Sequence, residues 1–277
     1  MTQLRAVVIH WTDFVFAKSP IQMSTRFLTR RPQYRAVLFS LVAVIAAASF
    51  SESAAVRAQQ RLSKRYPTGK NVRIQLKNIS GTITVESWNR DEIKLTATME
   101  SPSAHIIPRQ IDETLLVDVM ADNRGRGDVG DVNFVLQVPV NSSVDLETRR
   151  GQINVSNVRG TSVRAHVSSE GDIELSNITA SQVIAQNTIG NIYFEGEFSR
   201  GGTYELKSNQ GDITVRIPGD SAFRLIATSA KKISLGQFWN DKFKALSDGR
   251  RYIGDVGDGR SSVSVTTFSG TITFMRK

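Results

Sequence analysis

Gly151–Val155 (GQINV), Gly171–Leu175 (GDIEL), Gly190–Phe194 (GNIYF) and Gly211–Val215 (GDITV) decide the fold. Each is a glycine, a variable residue, an isoleucine, a second variable residue and an apolar one. Gly81–Val85 (GTITV) and Gly270–Phe274 (GTITF) carry the same unit further out, and Lys232–Leu235 is a degenerate copy with lysine in the glycine slot. The isoleucines at 153, 173, 192, 213 and 233 are spaced by 20, 19, 21 and 20 residues. Ile272 follows Ile233 by 39, which reads as two periods with one copy overwritten.

A second alternating segment keeps the same register: Val144/Leu146, Val163/Ala165, Val183/Ala185, Tyr204/Leu206 and Phe223/Leu225. Each period therefore holds two strands of ~5–6 residues between Gly, Asn, Asp and Ser turns. Alternation puts Ile153, Val155, Ile173, Leu175, Ile192, Phe194, Ile213 and Val215 on one face. Asn154, Glu174, Tyr193 and Thr214 go to the other. One such coil cannot bury its apolar face alone, whereas stacked coils share a core. The pattern predicts an all-β chain, a β-solenoid-like stack of two-strand repeats. A β-meander with antiparallel neighbours fits the same periodicity. An outer-membrane barrel fits poorly, because its strands need ~9–11 residues. The glycine before each strand suits a turn with positive φ. Asn157 and Asn177, one period apart, are placed to stack as a hydrogen-bonded ladder.

The sequence divides into a leader region (1–58), a less regular β opening or cap region (59–143) and the repeats (144–277), interrupted at 236–260. Within the middle region, Val72–Leu76, Gly81–Val85, Ile93–Thr98, Thr114–Val119 and Val132–Val138 read as strands. Ser101–Pro108 and Ala121–Asp131 read as loops. The charged end Met275–Lys277 reads as a guard on a terminal sheet edge.

The leader region has Arg26, Arg30, Arg31 and Arg35, then the apolar run Ala36–Phe50, then small residues up to Ala58. This is the make-up of a secretory signal peptide, cut after Ala58 or Ala55, with a start at Met23. The apolar run is shorter than the ~20 residues of a spanning helix, so no membrane span is expected after cleavage. The chain has 277 residues, 35 Lys+Arg, 26 Asp+Glu and a net charge of +9, of which +5 lies in residues 1–58. The remaining +4 is spread without long like-charge blocks, which argues against a nucleic-acid binder. There is no cysteine, which excludes disulfides, thiolate metal sites and a cysteine nucleophile.

The Gly-Asp-Ile repeats, the leader and the closing stretch Ser262–Phe274 (SVSVTTFSGTITF) resemble the bacterial putative-adhesin β-strand-repeat family, a domain of unknown function in envelope proteins. The resemblance covers about residues 72–277 and is densest over 144–235. It implies an exported, repetitive β fold at the periplasm or cell surface. It supplies no reaction and no catalytic residues.

Chemistry-bearing motifs are sparse. The histidines are His10, His105 and His166, with no HExxH pair, and neither a phosphate-binding Gly-rich loop nor GxSxG is present, so no metal or cofactor is expected. Asp172 and Asp212 are the carboxylates that stacking could pair for glycan cleavage, but Asn191 falls between them and all three occupy turn slots. Arg126–Asp128 (RGD) and Asp255–Gly259 are short loop matches that turn propensity explains. The interruption at 236–260 stands out: Phe238, Trp239, Phe243 and Tyr252 lie among Lys242, Lys244, Arg250 and Arg251. Insertions in solenoids map to one face, often the binding face. Aromatic and basic side chains together suit a glycan or an envelope protein, while the plainer reading has Phe238, Trp239 and Phe243 plugging the core. The sequence therefore favours a non-enzymatic, adhesin-like scaffold. A polysaccharide-active enzyme on the same scaffold and a regulatory envelope module are the alternatives.

Overall fold

The computed structural model describes residues 60–101, 104–121 and 130–277. The leader, the proposed start at Met23 and the RGD triplet lie outside the described residues. The described strands are β1 (Gln60–Pro67), β2 (Arg73–Ser80), β3 (Ile83–Trp88), β4 (Glu92–Met99), β5 (Ala104–Ile111), β6 (Thr114–Ala121), β7 (Val132–Pro139), β8 (Ser143–Arg150), β9 (Ile153–Ser156) and β10 (Ser162–Glu170). They continue as β11 (Ile173–Ile189), β12 (Ile192–Gln210), β13 (Ile213–Ile217), β14 (Phe223–Ser229), β15 (Ile233–Ser234), β16 (Lys244–Leu246), β17 (Arg251–Val256), β18 (Ser262–Thr267) and β19 (Ile272–Arg276). A single 3-10 turn spans Gly236–Phe238.

The strands stack in two columns of parallel neighbours. The first runs β6, β2, β8, β10, the second half of β11, the second half of β12, β18 and β14. The second runs β7, β3, β9, the first half of β11, the first half of β12, β13, β19 and β15. One strand from each column makes a coil. Parallel pairing rules out the meander, whose neighbours would be antiparallel. The registers match equivalent residues: Ile83, Ile153, Ile173, Ile192, Ile213, Ile272 and Ile233 form one column. The predicted inward set Ile153, Val155, Ile173, Leu175, Ile192, Phe194, Ile213 and Val215 is buried throughout. Complete burial of such a side chain contributes roughly 1.5–3 kcal/mol over leaving it exposed, so a column of them fixes the register. β11 and β12 are longer than the expected strands because pairing continues past the corner, with Ile178–Ala180 against Gly196–Phe198.

The order of coils departs from the order of sequence at both ends. Coil β2–β3 sits between β6–β7 and β8–β9. Coil β18–β19 sits between the β12–β13 coil and β14–β15. Ile272 is therefore not two periods beyond Ile233, as its spacing suggests, but stacks between Ile213 and Ile233. β19 is thus internal at Ile272 and Thr273, while Met275 and Arg276 pair with β13 alone and the Lys277 amide donates to the Ile217 carbonyl.

Each outermost coil is tethered to the antiparallel strands that cover it. At one end β5 lies on β6, β4 on β7 and β1 on β4. At the other, β17 lies on β14 and β16 on β17. Part of Ser101–Pro108, read as loop, is strand β5. Pro108 is tolerated because β5 pairs on one side only, and an edge strand has room for a residue without an N–H. β1 carries Arg61, Lys64 and Arg65, charges that discourage further pairing.

The repeat glycines do more than turn the chain. A Cβ on Gly171 would lie 1.9 Å from the Gly151 carbonyl oxygen, and the same holds down the line through Gly190, Gly211 and Gly270, each blocked at 1.8–2.2 Å by the carbonyl of the glycine one coil away. Gly171 also has φ of 152°, whereas Gly270 has no positive φ and is glycine for space alone. Beside this ladder runs an inward polar column of Asn78, Thr148, Asn187, Ser208, Thr267 and Ser229, interrupted by Val167. Its side chains donate to the glycine carbonyls: Asn187 to Gly171 (3.0 Å), Ser208 to Gly190 (3.0 Å), Thr267 to Gly211 (2.8 Å) and Ser229 to Gly270 (2.7 Å). Buried carbonyls turned away from the ladder bonds are satisfied in this way.

Candidate binding surfaces

The interruption at 236–260 forms the end cap rather than a loop on one side. Its 3-10 turn packs on β19, and β16 and β17 extend the first column. Phe238 and Phe243 are buried, at 3% and 7% exposure. Phe238 meets Phe223 and Phe274 edge-on, and Phe243 lies against Gly254, where a Cβ would be 2.6 Å from its ring. Trp239 is 51% exposed, stacked on Phe243 at 5.7 Å and edge-on to Tyr252 at 5.5 Å. Of the eight residues the sequence singles out here, Phe238 and Phe243 therefore plug the core. Trp239, with half-buried Tyr252, forms an aromatic surface on an element that also exposes Lys242, Arg250 and Arg251.

Two ion pairs lock this end. Arg224 grips Asp255 with two hydrogen bonds (2.8 and 3.2 Å), and its guanidinium holds that carboxyl below the usual aspartate range. Asp258 pairs with Arg260. Both acids of the Asp255–Gly259 segment are thus engaged by arginine, and among the described residues no His, Asp and Glu cluster fits a metal ion. A second network joins the last residue to the stack. Glu195 accepts from the Tyr193 hydroxyl (2.8 Å), Arg216 (3.2 Å) and Lys277 (3.2 Å). The tyrosine bond above all, then the lysine and arginine, depress the Glu195 carboxyl against an opposing desolvation.

The carboxylates that could have paired for catalysis close turns instead. Asp172 Oδ1 accepts the Asn191 amide at 2.6 Å, Asn191 Oδ1 accepts the Asp212 amide at 2.9 Å, and Asp212 Oδ1 accepts the Thr271 amide at 2.7 Å. Asn177 donates to Asn157 at 2.8 Å, the ladder expected from their spacing, with both residues at positive φ. His166 points outward in β10, and His105 lies exposed in β5.

A concavity lies elsewhere, along the strand starts of the first column. It is an open groove of about 920 Å³ that crosses β6, β2, β8, β10 and the second half of β11. Arg73, Arg159, Arg164, Asp145, Gln182 and Gln186 are among its lining residues. Coils approach closely on its floor, where a Cβ on Gly160 would sit 1.9 Å from the Ser142 carbonyl oxygen. No pattern in the sequence marks this groove, because its lining comes from turns and outward positions of five separate strands.

The family model described as Toastrack DUF4097 matches residues 59–274. The chain belongs to the Toastrack DUF4097 family. Its β-solenoid-like architecture is that of a domain of unknown function, and membership supplies no reaction. A search of curated proteins found no match. Among solved structures, a "putative cell adhesion protein" from Clostridium sporogenes is similar with a TM-score of 0.50 at 12% identity, over 79% of this chain and 100% of that one. A "putative adhesin" from Bacteroides fragilis has a TM-score of 0.35 at 12% identity, over 79% and 96%. A "putative lipid binding protein" from Parabacteroides distasonis has a TM-score of 0.31 at 10% identity, over 79% and 95%. The likeness to the Clostridium protein is one of fold. Among the described residues of this Toastrack chain, no helix is long and apolar enough to cross a membrane.

Proposed function

We propose that this Toastrack protein is an exported, non-enzymatic scaffold of the periplasm or cell surface, adhesin-like in presenting a rigid binding surface to glycan or protein partners of the envelope. The observation that carries the reading is the use made of Asp172 and Asp212. Each carboxylate accepts a backbone amide of the next coil, at 2.6 and 2.7 Å. A general acid or nucleophile must be free to meet a glycosidic oxygen or anomeric carbon. Here the Oδ1 of each is committed to holding coils together. The coils also repeat outward polar side chains at about 4.8 Å intervals, an arrangement suited to many weak contacts at once. At the end cap, Trp239 and Tyr252 offer an aromatic face, and Lys242, Arg250 and Arg251 offer charge. Phe238 and Phe243 hold that face from beneath.

The test is immobilised chain exposed to a glycan array and to detergent-solubilised envelope proteins. Retention that falls in Trp239→Ala, with the bound polysaccharides unshortened, is the expected result. Release of oligosaccharides that stops in Asp172→Ala or Asp212→Ala would make the protein an enzyme and sink the reading.

A further inference from the structure

We infer that the groove along the first column binds an acidic polysaccharide, a chain of uronic-acid type lying parallel to the solenoid axis. This deepens the scaffold reading and rests on it. The charges of the groove divide into committed and free. Glu113 accepts the Gly69 amide at 3.1 Å, and Asp145 faces Arg164 at 3.8 Å. Arg73 and Arg159 are exposed, and neither has an ion-pair partner among the described residues. The groove therefore presents two guanidiniums without an ion-pair partner, with three arginines in its lining against two carboxylates.

Their placement follows the stack. Arg73 opens β2 and Arg159 lies in the turn before β10, with β8 between those two strands. Two strand spacings separate the two arginine layers by roughly 10 Å along the axis. A pyranose ring has a length comparable to one such spacing, so the two arginines meet carboxylates on alternate sugars. Guanidinium binds carboxylate through paired N–H donors, a geometry that ammonium cannot reproduce. Around them Ser162 and Gln182, joined at 3.2 Å, together with Asn71 and Asn141, supply amides and hydroxyls. These groups donate to and accept from sugar hydroxyls. None of the lining residues is aromatic, which disfavours a nucleic-acid strand, since single strands are held largely by base stacking.

The experiment measures binding of the full chain to polygalacturonate, dextran and polyphosphate by calorimetry, with polymer length read before and after. Polygalacturonate is expected to bind, in a salt-dependent manner. The double variant Arg73→Ala/Arg159→Ala is expected to weaken it at least tenfold with its melting temperature unchanged. The milder Arg73→Gln/Arg159→Gln is expected to do the same. Absence of binding, binding by both double variants as tight as the parent's, equal binding of dextran, or preference for polyphosphate would each overturn the assignment of the groove. Shortening of the polymer would instead overturn the non-enzymatic reading, so the two failures are distinct.

Discussion

Three glycines separate two reasons for being glycine, and their alanine variants put a number on each. Gly201 has φ of 73° and open space where a Cβ would go. Gly201→Ala pays only for the left-handed backbone, about 1–2 kcal/mol. Gly270 has no positive φ, but its Cβ would stand 1.9 Å from the Gly211 carbonyl oxygen. Real Cβ contacts stay beyond 3.0 Å, so that backbone must retreat by more than 1 Å. The same oxygen accepts from Thr267 at 2.8 Å, and the adjoining bonds Ile213 N–H to Thr271 and Thr271 N–H to Asp212 are 2.8 and 2.7 Å. Loss of two or three such bonds at about 1 kcal/mol each, with roughly 1–3 kcal/mol of overpacking, puts Gly270→Ala at about 3–6 kcal/mol. Gly171→Ala meets both penalties and belongs above it, with φ of 152° and a 1.9 Å clash. Domains of this size lose about 2–4 °C of Tm per kcal/mol. Thermal melts followed by circular dichroism should therefore show a few degrees for Gly201→Ala, on the order of 10 °C for Gly270→Ala, and more for Gly171→Ala. If Gly270→Ala melts alongside Gly201→Ala, the ladder is not close-packed and the argument fails.

Asp172→Asn keeps an oxygen for the Asn191 amide and should melt near the parent, whereas Asp172→Ala should lose about 1–3 kcal/mol in urea unfolding, the worth of a charge-assisted bond. Glu195 has a folded carboxyl pKa depressed from 4.5, so its contribution is present above that value and disappears as pH falls through the folded value. Tm measured from pH 7 downward should fall less steeply below pH 4.5 in Glu195→Gln than in the parent. Ile272 is fully buried between Ile213 and Ile233. Ile272→Ala should therefore cost about 2–5 kcal/mol, and a cost below 1 kcal/mol in urea unfolding would show that its coil is peripheral.

Much of the stack was legible because its cause is local and repeated. Period-2 alternation places Ile153, Ile173, Ile192 and Ile213 on one face whatever the neighbours are, and a shared period brings equivalents into register. The order of coils was not legible. Ile272 fits against any equivalent isoleucine, so spacing alone cannot tell an interior coil from a terminal one. The inward polar column was visible only as Asn, Thr or Ser at the last inward slot of each first strand, at Thr148, Asn187 and Ser208. That signal is easily taken for a strand end. At the end cap, the aromatic cluster could be read as buried or displayed. The structure divides it, because Phe238 packs on Phe223 and Phe274 and Phe243 on Gly254, while Trp239 stacks on Phe243. The groove is a product of tertiary geometry, its arginines belonging to turns and outward slots of unremarkable composition.

The interior seat of β18 and β19 sets a schedule for biogenesis. A nascent chain delivers Phe223–Ser234 before it delivers the coil that must lie beneath that segment. Until Ser262–Arg276 arrive, β14 has only the cap strand β17 beside it, β15 lacks its strand partner, and the aromatic row of Phe223, Phe238 and Phe274 is incomplete. That end of the molecule therefore sets only after synthesis has passed it.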